Sequence, residues 1–584
     1  MASNEQFKLL VAAIDFGTTF SSWAFSFKHD YEKDPTRIFA KDWNSGTSIS
    51  HKAPTTALIR SDGKTLEAFG FDAEDKYAQL VTESKHNDWY YFQKFKMSLF
   101  ENKTLNRETK IEDVNGKKLK ALTVFSLVIE CLKRNLVEEC KSKIAQGEFF
   151  EEDIHWVLTV PAIWNDKAKQ FMREAAIQAG IGEDRLMIAL EPEAASLFCR
   201  YIPLHVMSSE KQKKVVALNA GTRYIVIDAG GGTVDITIHE IMKDDSLKEL
   251  HKATGGAWGG QEVDEAFKQF LVKIFGNPVL QKFKQDAMDD YFILFREFEV
   301  KKRKVTPKGE EKVVIAIPVT LKEIFESETG ETLNHCIAQT DFASKVEVLK
   351  GNKLRIDPSV MRSFFEKSID NLIKHIKSFH DSDKYGINVA LMVGGFSESS
   401  MLVNAVRDAC SSWKVVVPDE AGLVILKGAV IFGHNPTPIT YRVSRYSYGY
   451  KVTRPFIEGK HSDDHMYLHN GEKLCRDLFI LFLKDGESIY DGQILVDKEL
   501  LYPKRDEDHF GIKIYASSDK NVLYTTEHSC TYLGHLTVDK LDKNASRDKK
   551  GAYVTIKIKS SELQVEATDR NTGRVLKTNM DLLQ

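Results

Sequence analysis

Two short segments, far apart in the chain, place an acidic residue and a glycine- and threonine-containing turn directly after an apolar run. In the first, Leu9 to Asp15 is followed by Gly17, Thr18 and Thr19. Glycine lets the backbone turn so that successive N–H groups point into one concavity, which suits phosphate oxygens. The threonine hydroxyls add donors, and Asp15 can hold water molecules of a magnesium ion, which keeps most of its water in proteins. This segment predicts one half of a phosphate site.

The second segment repeats the design. Tyr224 to Asp228 is an apolar run that ends in an acid, and it is followed by a second loop, Gly230, Gly231, Gly232 and Thr233. Two such clamps suit a nucleoside triphosphate better than a single phosphate. The pattern is neither the Walker loop, which needs Gly-Lys-Ser/Thr, nor the dinucleotide G-x-G-x-x-G motif. Either loop alone is also compatible with an ordinary tight turn, so the prediction depends on the pair.

The segments around these loops alternate between strands and helices. A third glycine turn, Gly394-Gly395, ends another apolar run, Val389 to Val393, and the recurrence of strand and glycine turn predicts two related lobes. Apolar periodicity and caps such as Asn165 predict helices over 121–140, 166–180, 261–275, 282–304 and 359–380. This alternation is typical of an α/β fold.

The pattern changes near residue 434. The prolines of His434-Asn435-Pro436-Thr437-Pro438 do not continue a helix well, so they predict a boundary between a unit at 8–434 and a β-rich unit at 437–584. The second unit, at about 145 residues, has the size of one domain. Its predicted strands are 442–452, 477–484, 510–517, 532–538, 552–558, 562–568 and 574–578, the last after an Asn571-Thr572-Gly573 turn. The polar stretches 28–52 and 505–509 are predicted to be solvated loops rather than parts of a site.

Composition excludes several classes of function. The 81 Lys and Arg residues against 84 Asp and Glu residues give a net charge of −3, which disfavours a nucleic-acid binder that works by bulk electrostatics. The seven scattered cysteines form no C-x-x-C pair, which disfavours a disulfide framework or a structural zinc site. No apolar run reaches the length of about 18 residues that a membrane span needs, and the first residues lack the order of a signal peptide. We therefore expect a reducing compartment, the cytosol or the nucleus.

The two phosphate segments resemble those of the actin, sugar-kinase and 70-kDa heat-shock ATPase superfamily. Four further stretches are similar to the heat-shock chaperones: Thr159-Val-Pro-Ala-Ile-Trp-Asn165, Leu190-Glu-Pro-Glu-Ala-Ala195, Gly259-Gly-Gln-Glu-Val-Asp264 and Pro418-Asp-Glu-Ala421. The variants at 394–399 and 89–96, together with the ending without a helical lid, look most like the divergent family 12 branch. The resemblance runs from about residue 9 to 434 and covers the tail only loosely. It implies a two-lobed actin-like ATPase fold followed by a smaller β-rich domain.

The resemblance also implies residue roles. Asp15 and Asp228 would hold Mg²⁺ through water, Thr233 would contact the γ-phosphate, and Glu191 would lie near the attacking water. Lys94 falls where the family has its catalytic lysine, with Lys96 two residues away as the alternative. The implied nucleotide contacts are Gly17, Thr18, Thr19, Gly230, Gly231, Gly232, Gly259, Gly260, Glu299, Lys302, Arg303, Gly394, Gly395, Phe396 and Asp419. Glu299, Lys302 and Arg303 share one helix face, which could also be an ordinary exposed charged face.

The chain departs from the chaperone pattern at several points. Phe396 and Glu398 stand where the chaperones have Ser and Arg, so an altered base site is expected. Lys169 replaces the arginine partner of the switch proline, here Pro161, and lysine cannot make a bidentate guanidinium contact. The acidic, leucine-rich interdomain linker is missing from 434–446. Weaker coupling between the two units is expected from these changes.

The expected function is that of an ATP- and ADP-binding heat-shock-70-like chaperone or a related protein. It would be a slow Mg²⁺-dependent ATPase whose β-rich tail binds unfolded clients or protein partners. An alternative is a nucleotide-sensing interaction protein with little or no turnover. A third is a sugar kinase on the same core, against which the Glu-Pro-Glu-Ala-Ala stretch and the β-rich tail both weigh.

Overall fold

The computed structural model describes residues 9–44, 49–100, 102–143, 150–205, 215–350, 352–436, 439–490, 492–501, 509–539, 551–559, 562–569, 575–579 and 582–583. The predicted turn at 571–573 and residues 437–438 of the predicted boundary lie outside them. Over the described residues, two α/β lobes are followed by a β-rich tail. No helix among these residues combines the length and the apolar character that crossing a membrane requires.

The first lobe is built on a mixed sheet. Its strands are β1 (Leu10–Asp15), β2 (Phe20–Phe27), β3 (Phe39–Ala40), β4 (Trp43–Asn44), β5 (Ile49–Ser50), β6 (Ala53–Pro54), β7 (Thr56–Ile59), β8 (Leu66–Phe69), β9 (Tyr90–Gln93), β10 (Lys110–Glu112), β11 (Lys118–Lys120), β12 (Ile154–Val160) and β13 (Leu186–Leu190). Its helices are α1 (Lys28–Lys33), α2 (Phe71–Thr82), α3 (Ala121–Lys143), α4 (Asp166–Gln178) and α5 (Glu191–Cys199). The central sheet has the order β13-β12-β1-β2-β3, with β1, β12 and β13 parallel and β2 antiparallel to β1.

The second lobe repeats this topology. Its strands are β14 (Leu204–His205), β15 (Val215–Val216), β16 (Arg223–Ala229), β17 (Val234–Ile241), β18 (Leu247–Gly256), β19 (Val313–Ala316), β20 (Val346–Leu349), β21 (Lys353–Ile356), β22 (Val389–Val393) and β23 (Lys414–Val416). Its helices are α6 (Gln261–Phe275), α7 (Asn277–Asp286), α8 (Met288–Lys302), α9 (Val319–Thr329), α10 (Leu333–Ala338), α11 (Pro358–Ser363), α12 (Glu366–Ser382), α13 (Ser400–Ala409) and α14 (Val424–His434). The sheet order β23-β22-β16-β17-β18 mirrors that of the first lobe. The predicted pair of related lobes is confirmed.

Helices α5 and α14 lie between the two sheets. Val11 and Val157 of the first lobe and Tyr224 and Leu391 of the second belong to the same buried cluster as these helices. The helices approach so closely that a β-carbon at Gly428 would lie 1.8 Å from the main-chain oxygen of Ala194, so glycine is required there. On the other side, α2 contacts α8, and Arg296 binds Glu74 at 2.5 Å. The lobes are thus joined at two separate contacts, through α5 and α14 and through α2 and α8.

The tail contains two facing sheets. Its strands are β24 (Ile439–Val443), β25 (Ser447–Pro455), β26 (Met466–His469), β27 (Glu472–Leu483), β28 (Ser488–Tyr490), β29 (Ile494–Leu501), β30 (His509–Ser517), β31 (Cys530–Asp539), β32 (Gly551–Lys559), β33 (Glu562–Asp569) and β34 (Val575–Asn579). The sheets have the orders β26-β27-β25-β30-β31 and β29-β32-β33-β34, and Tyr450 and Ile514 of one share a core with Val554 and Ile556 of the other.

The structure refines several predicted elements. The helix expected at 282–304 is two helices, α7 and α8, because the chain turns at Ala287, and the one at 359–380 is α11 and α12. The strand expected at 442–452 is β24 and β25, and β26, β28 and β29 were not predicted. The segment at 28–52 is not simply a solvated loop, because it contains α1 and short strands. The helices predicted at 121–140, 166–180 and 261–275 are confirmed.

Candidate nucleotide-binding site

A cavity of about 580 Å³ lies between the lobes and is lined by both predicted phosphate loops. Small-molecule sites commonly have volumes of about 300–1,000 Å³. The loops face each other at close range, since a β-carbon at Gly231 would lie 1.8 Å from Oγ1 of Thr19. Glycine at 231 therefore allows the backbones of the two loops to approach, as a clamp on one polyphosphate requires.

Both strand-end acids reach this cavity and are buried. Asp15 accepts hydrogen bonds from Thr159 at 2.9 Å and Lys52 at 2.5 Å. Burial raises the pKa of Asp15, but the charge and hydrogen bond of Lys52, the charge of Lys96 and the hydrogen bond from Thr159 together outweigh burial and hold this pKa below its usual value. Burial, with the charges of Glu191, Asp235 and Asp15, raises the pKa of Asp228 well above its usual range.

The acids fit a magnesium ion bound through water. Oδ1 of Asp228 is buried and has no hydrogen-bond partner among the described residues. An unpartnered buried carboxylate oxygen is costly unless a cation or water satisfies it. No group of three or more His, Cys, Asp or Glu side chains in the described part of the chain is arranged to hold a metal ion directly. Mg²⁺ needs only one or two carboxylates when phosphates and water supply the other ligands.

Of the two lysines considered for the catalytic position, Lys96 reaches the cavity and Lys94 does not, so the assignment of Lys94 is corrected. Lys94 is exposed and does not line the cavity, because it is the left-handed residue (φ 55°) that starts a 3₁₀ turn at Phe95–Leu99. This turn directs Lys96 inward, where its side chain is 2% exposed and its Nζ atom lies 3.0 Å from Oε1 of Glu191. The ring of Trp164 lies 5.1 Å from the same amine.

Glu191 occupies the first position of α5, directly after β13. Burial raises its pKa to about 7; attraction by Lys96 opposes this shift, and the charges of Asp15 and Asp235 add to it. A carboxyl with a pKa near neutrality is suited to accept a proton or orient water. The Lys96–Glu191 pair thus combines a buried cation with a carboxyl that can exchange a proton near neutral pH.

The predicted charged helix face does point into the cleft. Lys302 binds Glu299 at 2.5 Å and Asp264 at 2.6 Å, and Arg303 donates to Glu299 at 2.8 Å. These residues line the cavity together with Glu398, whose carboxylate lies 3.8 Å from Arg303. The chain therefore lacks an arginine at 398 but offers the guanidinium of Arg303 at the same end of the cleft.

The remaining predicted contacts divide into two groups. Those that line the cavity are Gly17, Thr18, Thr19, Gly230, Gly231, Gly232, Thr233, Gly260, Gly394, Gly395 and Phe396. Gly259 does not line the cavity. Its amide donates to the carbonyl of Gly232, and the residue packs behind the second loop. Asp419 is exposed outside the cavity, and the neighbouring Glu420, with a φ of 55°, faces it instead. Both assignments are corrected.

Sequence reasoning missed Lys52, which lies in the stretch expected to be a solvated loop. Its amine lies beside Asp15, at the end of the cavity where the two glycine loops face each other, which we call the phosphate end. The signal for its position was the run from Ala53 to Ile59, which is buried throughout and marks the entry of a strand. Because the strand residues that follow Lys52 are buried, they fix the position of its backbone.

The tail contacts the same part of the lobes. β24 continues the second-lobe sheet by pairing in parallel with β18. Arg442, on β24, makes a bidentate contact of 2.9 and 3.1 Å with buried Glu193, two residues after Glu191 on α5. The hydroxyl of Tyr448 donates to Asp166 at 2.7 Å. The segment without a recognisable linker motif therefore still lies against the nucleotide-binding lobes.

Two lobes of repeated topology, each with a strand-end acid and a glycine loop at one shared cavity, define an actin-like nucleotide-binding fold. The model of the Hsp70 protein family matches residues 85–334. Heat shock 70 kDa protein 12A of Mus musculus is 33% identical, with an alignment that covers 100% of this chain and 92% of that protein. Heat shock 70 kDa protein 12A of Homo sapiens is 32% identical with the same coverage, and human heat shock 70 kDa protein 12B is 31% identical over 98% of this chain and 91% of its own length. The chain belongs to the 70-kDa heat-shock protein family and falls in its atypical family 12 branch.

Proposed function

We propose that this protein binds ATP and ADP in the interlobe cleft and hydrolyses ATP slowly. The observation that carries the proposal is the convergence of Asp15, Asp228 and both glycine loops on one cavity. Mg²⁺, when bound, would neutralise charge on the phosphates and link them through water to Asp15 and Asp228. Lys96 would stabilise negative charge on the terminal phosphate, and Glu191 would orient the attacking water. Catalysis would then depend on positioning and electrostatics.

The β-rich tail is proposed as the unit at 437–584 that binds unfolded clients or protein partners, in the manner of a chaperone-related protein. Its contact with α5 through Arg442 and Glu193 supports coupling to the nucleotide, because Glu191 lies on the same helix. ATP would favour the closed lobes, since it contacts both of them.

All seven cysteines are free thiols, which fits a reducing compartment such as the cytosol or nucleus.

Calorimetric titration with ATP, ADP and GTP in Mg²⁺ tests the binding step. We expect saturable ATP binding by the wild type and a loss of affinity of about tenfold or more in Asp228→Asn, because charge-assisted contacts are worth about 1.5–3 kcal/mol. The substitution preserves the shape of the side chain. Absence of nucleotide binding in the wild type would reject the proposal.

A second candidate function is a nucleotide sensor with little or no turnover. The ion pair between Lys52 and Asp15 favours the sensor, because a cation from the protein already neutralises the acid that the hydrated Mg²⁺ would contact. Single-turnover hydrolysis separates the candidates. A rate no faster than buffer and unchanged by Lys96→Ala, in a protein that binds ATP, would support the sensor and reject the ATPase.

A further inference from the structure

Lys52 is a second lysine at the phosphate end of the cleft. Its Nζ atom lies 2.5 Å from Oδ2 of Asp15, and its side chain is 19% exposed. Both residues line the nucleotide cavity. The amine of Lys52 therefore lies beside the carboxylate that the Mg²⁺ hydration shell would contact.

The main chain fixes Lys52 relative to the first phosphate loop. β6, which begins at the next residue, pairs with the start of β2. The amide of Thr55 donates to the carbonyl of Thr19, and the hydroxyl of Thr55 donates to the carbonyl of Gly17, both at 2.8 Å. The loop that would hold phosphate and the strand that follows the lysine are thus bonded to each other. While these bonds persist, the backbone of Lys52 stays in place, and its amine can leave the site only by rotation about the side-chain bonds.

Lys52 is more exposed than Lys96. The side chain of Lys96 is 2% exposed and packs between Glu191 and the ring of Trp164, whereas that of Lys52 is 19% exposed. The amine of Lys52 carries three N–H donors, and the contact with Asp15 uses one of them. The remaining donors can bind phosphate oxygens while the contact with Asp15 persists.

The charges around the phosphate end require a cation. Asp15, Glu191 and Asp228 line it, and Lys52 and Lys96 are paired with the first two of these acids. Lys302 also lines the cavity, but it is paired with Glu299 and Asp264. A polyphosphate that enters this region meets carboxylates at close range, and charges separated by about 4 Å interact by several kcal/mol where the effective dielectric constant is low. In kinases and P-loop nucleotide triphosphatases a divalent ion offsets that repulsion. Here the charge of Lys52, beside Asp15, is in position to offset part of the repulsion between the carboxylates and the phosphates.

We propose that Lys52 binds an oxygen of the β- or γ-phosphate of the nucleotide while it stays paired with Asp15, so that nucleotide binding persists when divalent cations are removed. The inference rests on the proposed ATP-binding function and assigns a ligand-binding role to a residue outside the expected set. Mg²⁺ then adds to the affinity and supports hydrolysis, but it is not required for ATP to bind.

Calorimetric titration of the full chain with ATP, in Mg²⁺ and in EDTA, tests the proposal. We expect the wild type to bind in EDTA with an affinity within about tenfold of that in Mg²⁺. Lys52→Met should reduce the affinity in EDTA by about tenfold or more, the worth of a charge-assisted hydrogen bond, and by much less in Mg²⁺. Lys52→Arg should restore most of the binding in EDTA. Lys64→Met, at an exposed lysine of the same lobe, is the matched control and should change neither value.

Two further measurements separate phosphate binding from a structural role. AMP lacks the β- and γ-phosphates, so Lys52→Met should leave its affinity unchanged. Asp15→Asn should raise the affinity for ATP in EDTA, because it removes a repelling charge and frees the amine, and this variant tests the proposal even if Lys52→Met does not fold. A purely structural Lys52 would instead lower the melting temperature on substitution and change ATP binding equally with and without Mg²⁺.

Three results would overturn the inference. One is ATP binding by the wild type that requires Mg²⁺, with Lys52→Met indistinguishable from it; the proposed function would survive that result. Another is a fall in EDTA affinity in Asp15→Asn as large as that in Lys52→Met. The third is no binding of ATP under either condition, which would reject the proposed function as well.

Discussion

Lys96 and Glu191 form the most deeply buried ion pair of the cleft, with Nζ and Oε1 3.0 Å apart and the lysine side chain 2% exposed. The two residues come from different elements, a 3₁₀ turn after β9 and the start of α5. Each fixes the side chain of the other at the phosphate end of the cavity. Strongly perturbed pKa values cluster at functional sites, and this pair combines a raised carboxyl pKa with a position in the cleft.

Lys96→Ala should slow single-turnover ATP hydrolysis by about a hundredfold, the scale of losing one preorganised electrostatic contact to a transition state. ATP affinity should fall less than the rate, because the contact strengthens as charge develops on the phosphate. Rapid-quench measurement of the first turnover provides both values.

Lys94→Ala is the matched control, since Lys94 is two residues away and exposed. It should hydrolyse ATP at about the wild-type rate. A large loss in Lys94→Ala with a normal rate in Lys96→Ala would contradict the assignment and restore the position that the family resemblance alone suggested.

The rate of hydrolysis should depend on pH through Glu191. Its pKa is raised to about 7, chiefly by burial, so the side chain is neutral below pH 7 and charged above it. If the ionised form orients water, the rate at saturating ATP should rise about tenfold per pH unit below pH 7 and level off above it. The pH profile of the first turnover measures this directly.

Two variants check the origin of that profile. Glu191→Gln cannot ionise and should give a slow rate without the rising limb. Lys96→Ala removes the charge that lowers the pKa of Glu191, so the midpoint should move to higher pH. A rising limb near pH 7 that persists in Glu191→Gln would assign the titration to another group.

The sequence predicted the phosphate end of the site because its chemistry is local. An acid at a strand end and a glycine loop next to it are contiguous in the chain, so Asp15 and Asp228 with their loops were found without knowing the fold. The repeated order of these segments likewise predicted the two lobes, which the matching orders β13-β12-β1-β2-β3 and β23-β22-β16-β17-β18 confirm.

The sequence could not fix residues whose direction depends on a turn. Lys94 is itself the left-handed residue and Lys96 lies in the 3₁₀ turn that follows it, and the direction of that turn decides which of the two lysines is buried. Asp419 and Glu420 are separated in the same way by the positive φ of Glu420. Lys52 was missed because its partner, Asp15, is brought to it by the pairing of β6 with β2, and polar composition alone does not report such pairing.

The contact between Arg442 and Glu193 should be important for stability. Both side chains are largely buried, at 12% and 6% exposure, and Arg442 holds both carboxylate oxygens. Arg442→Ala leaves a buried carboxylate without this partner and should lower the free energy of unfolding by about 3–5 kcal/mol. Urea denaturation followed by fluorescence measures the change, and ATP titration of the same variant reports whether α5 transmits it to the cleft.

The exposed pair Arg355 and Glu347 provides the comparison, because its side chains are 39% and 51% exposed. Arg355→Ala should cost about 1 kcal/mol or less. The double substitution Glu193→Gln with Arg442→Met should recover much of the stability lost in Arg442→Ala, since it removes the charge left unpaired. Equal, small losses in Arg442→Ala and Arg355→Ala would show that the tail is not held at this contact.

Helix α4 should hold the last described residues of the tail to the first lobe. Asp166, Gln170 and Glu174 share one face of this helix. Tyr448 donates to Asp166 at 2.7 Å, and the amide of Leu582 donates to Gln170 at 3.0 Å.

Leu582 and Leu583 connect two cores, because Leu582 packs in the core of the tail and Leu583 in that of the first lobe. Leu583 is 1% exposed, and its carbonyl accepts from the amide of Arg107, whose guanidinium binds Glu174 at 2.7 and 2.8 Å.

Leu583→Ala should therefore weaken the contact of the tail with the lobe by about 2–5 kcal/mol, the usual cost of removing a buried leucine side chain. Hydrogen exchange should become faster in α4 and in β32 to β34, while amides of the second lobe keep their protection. Leu481→Ala, at a leucine of the tail that is 44% exposed, should leave exchange in α4 unchanged. If Leu583→Ala leaves exchange in α4 and in these strands as slow as in the wild type, the leucine does not tether the tail, and the contacts of Arg442 and Tyr448 are enough to hold it.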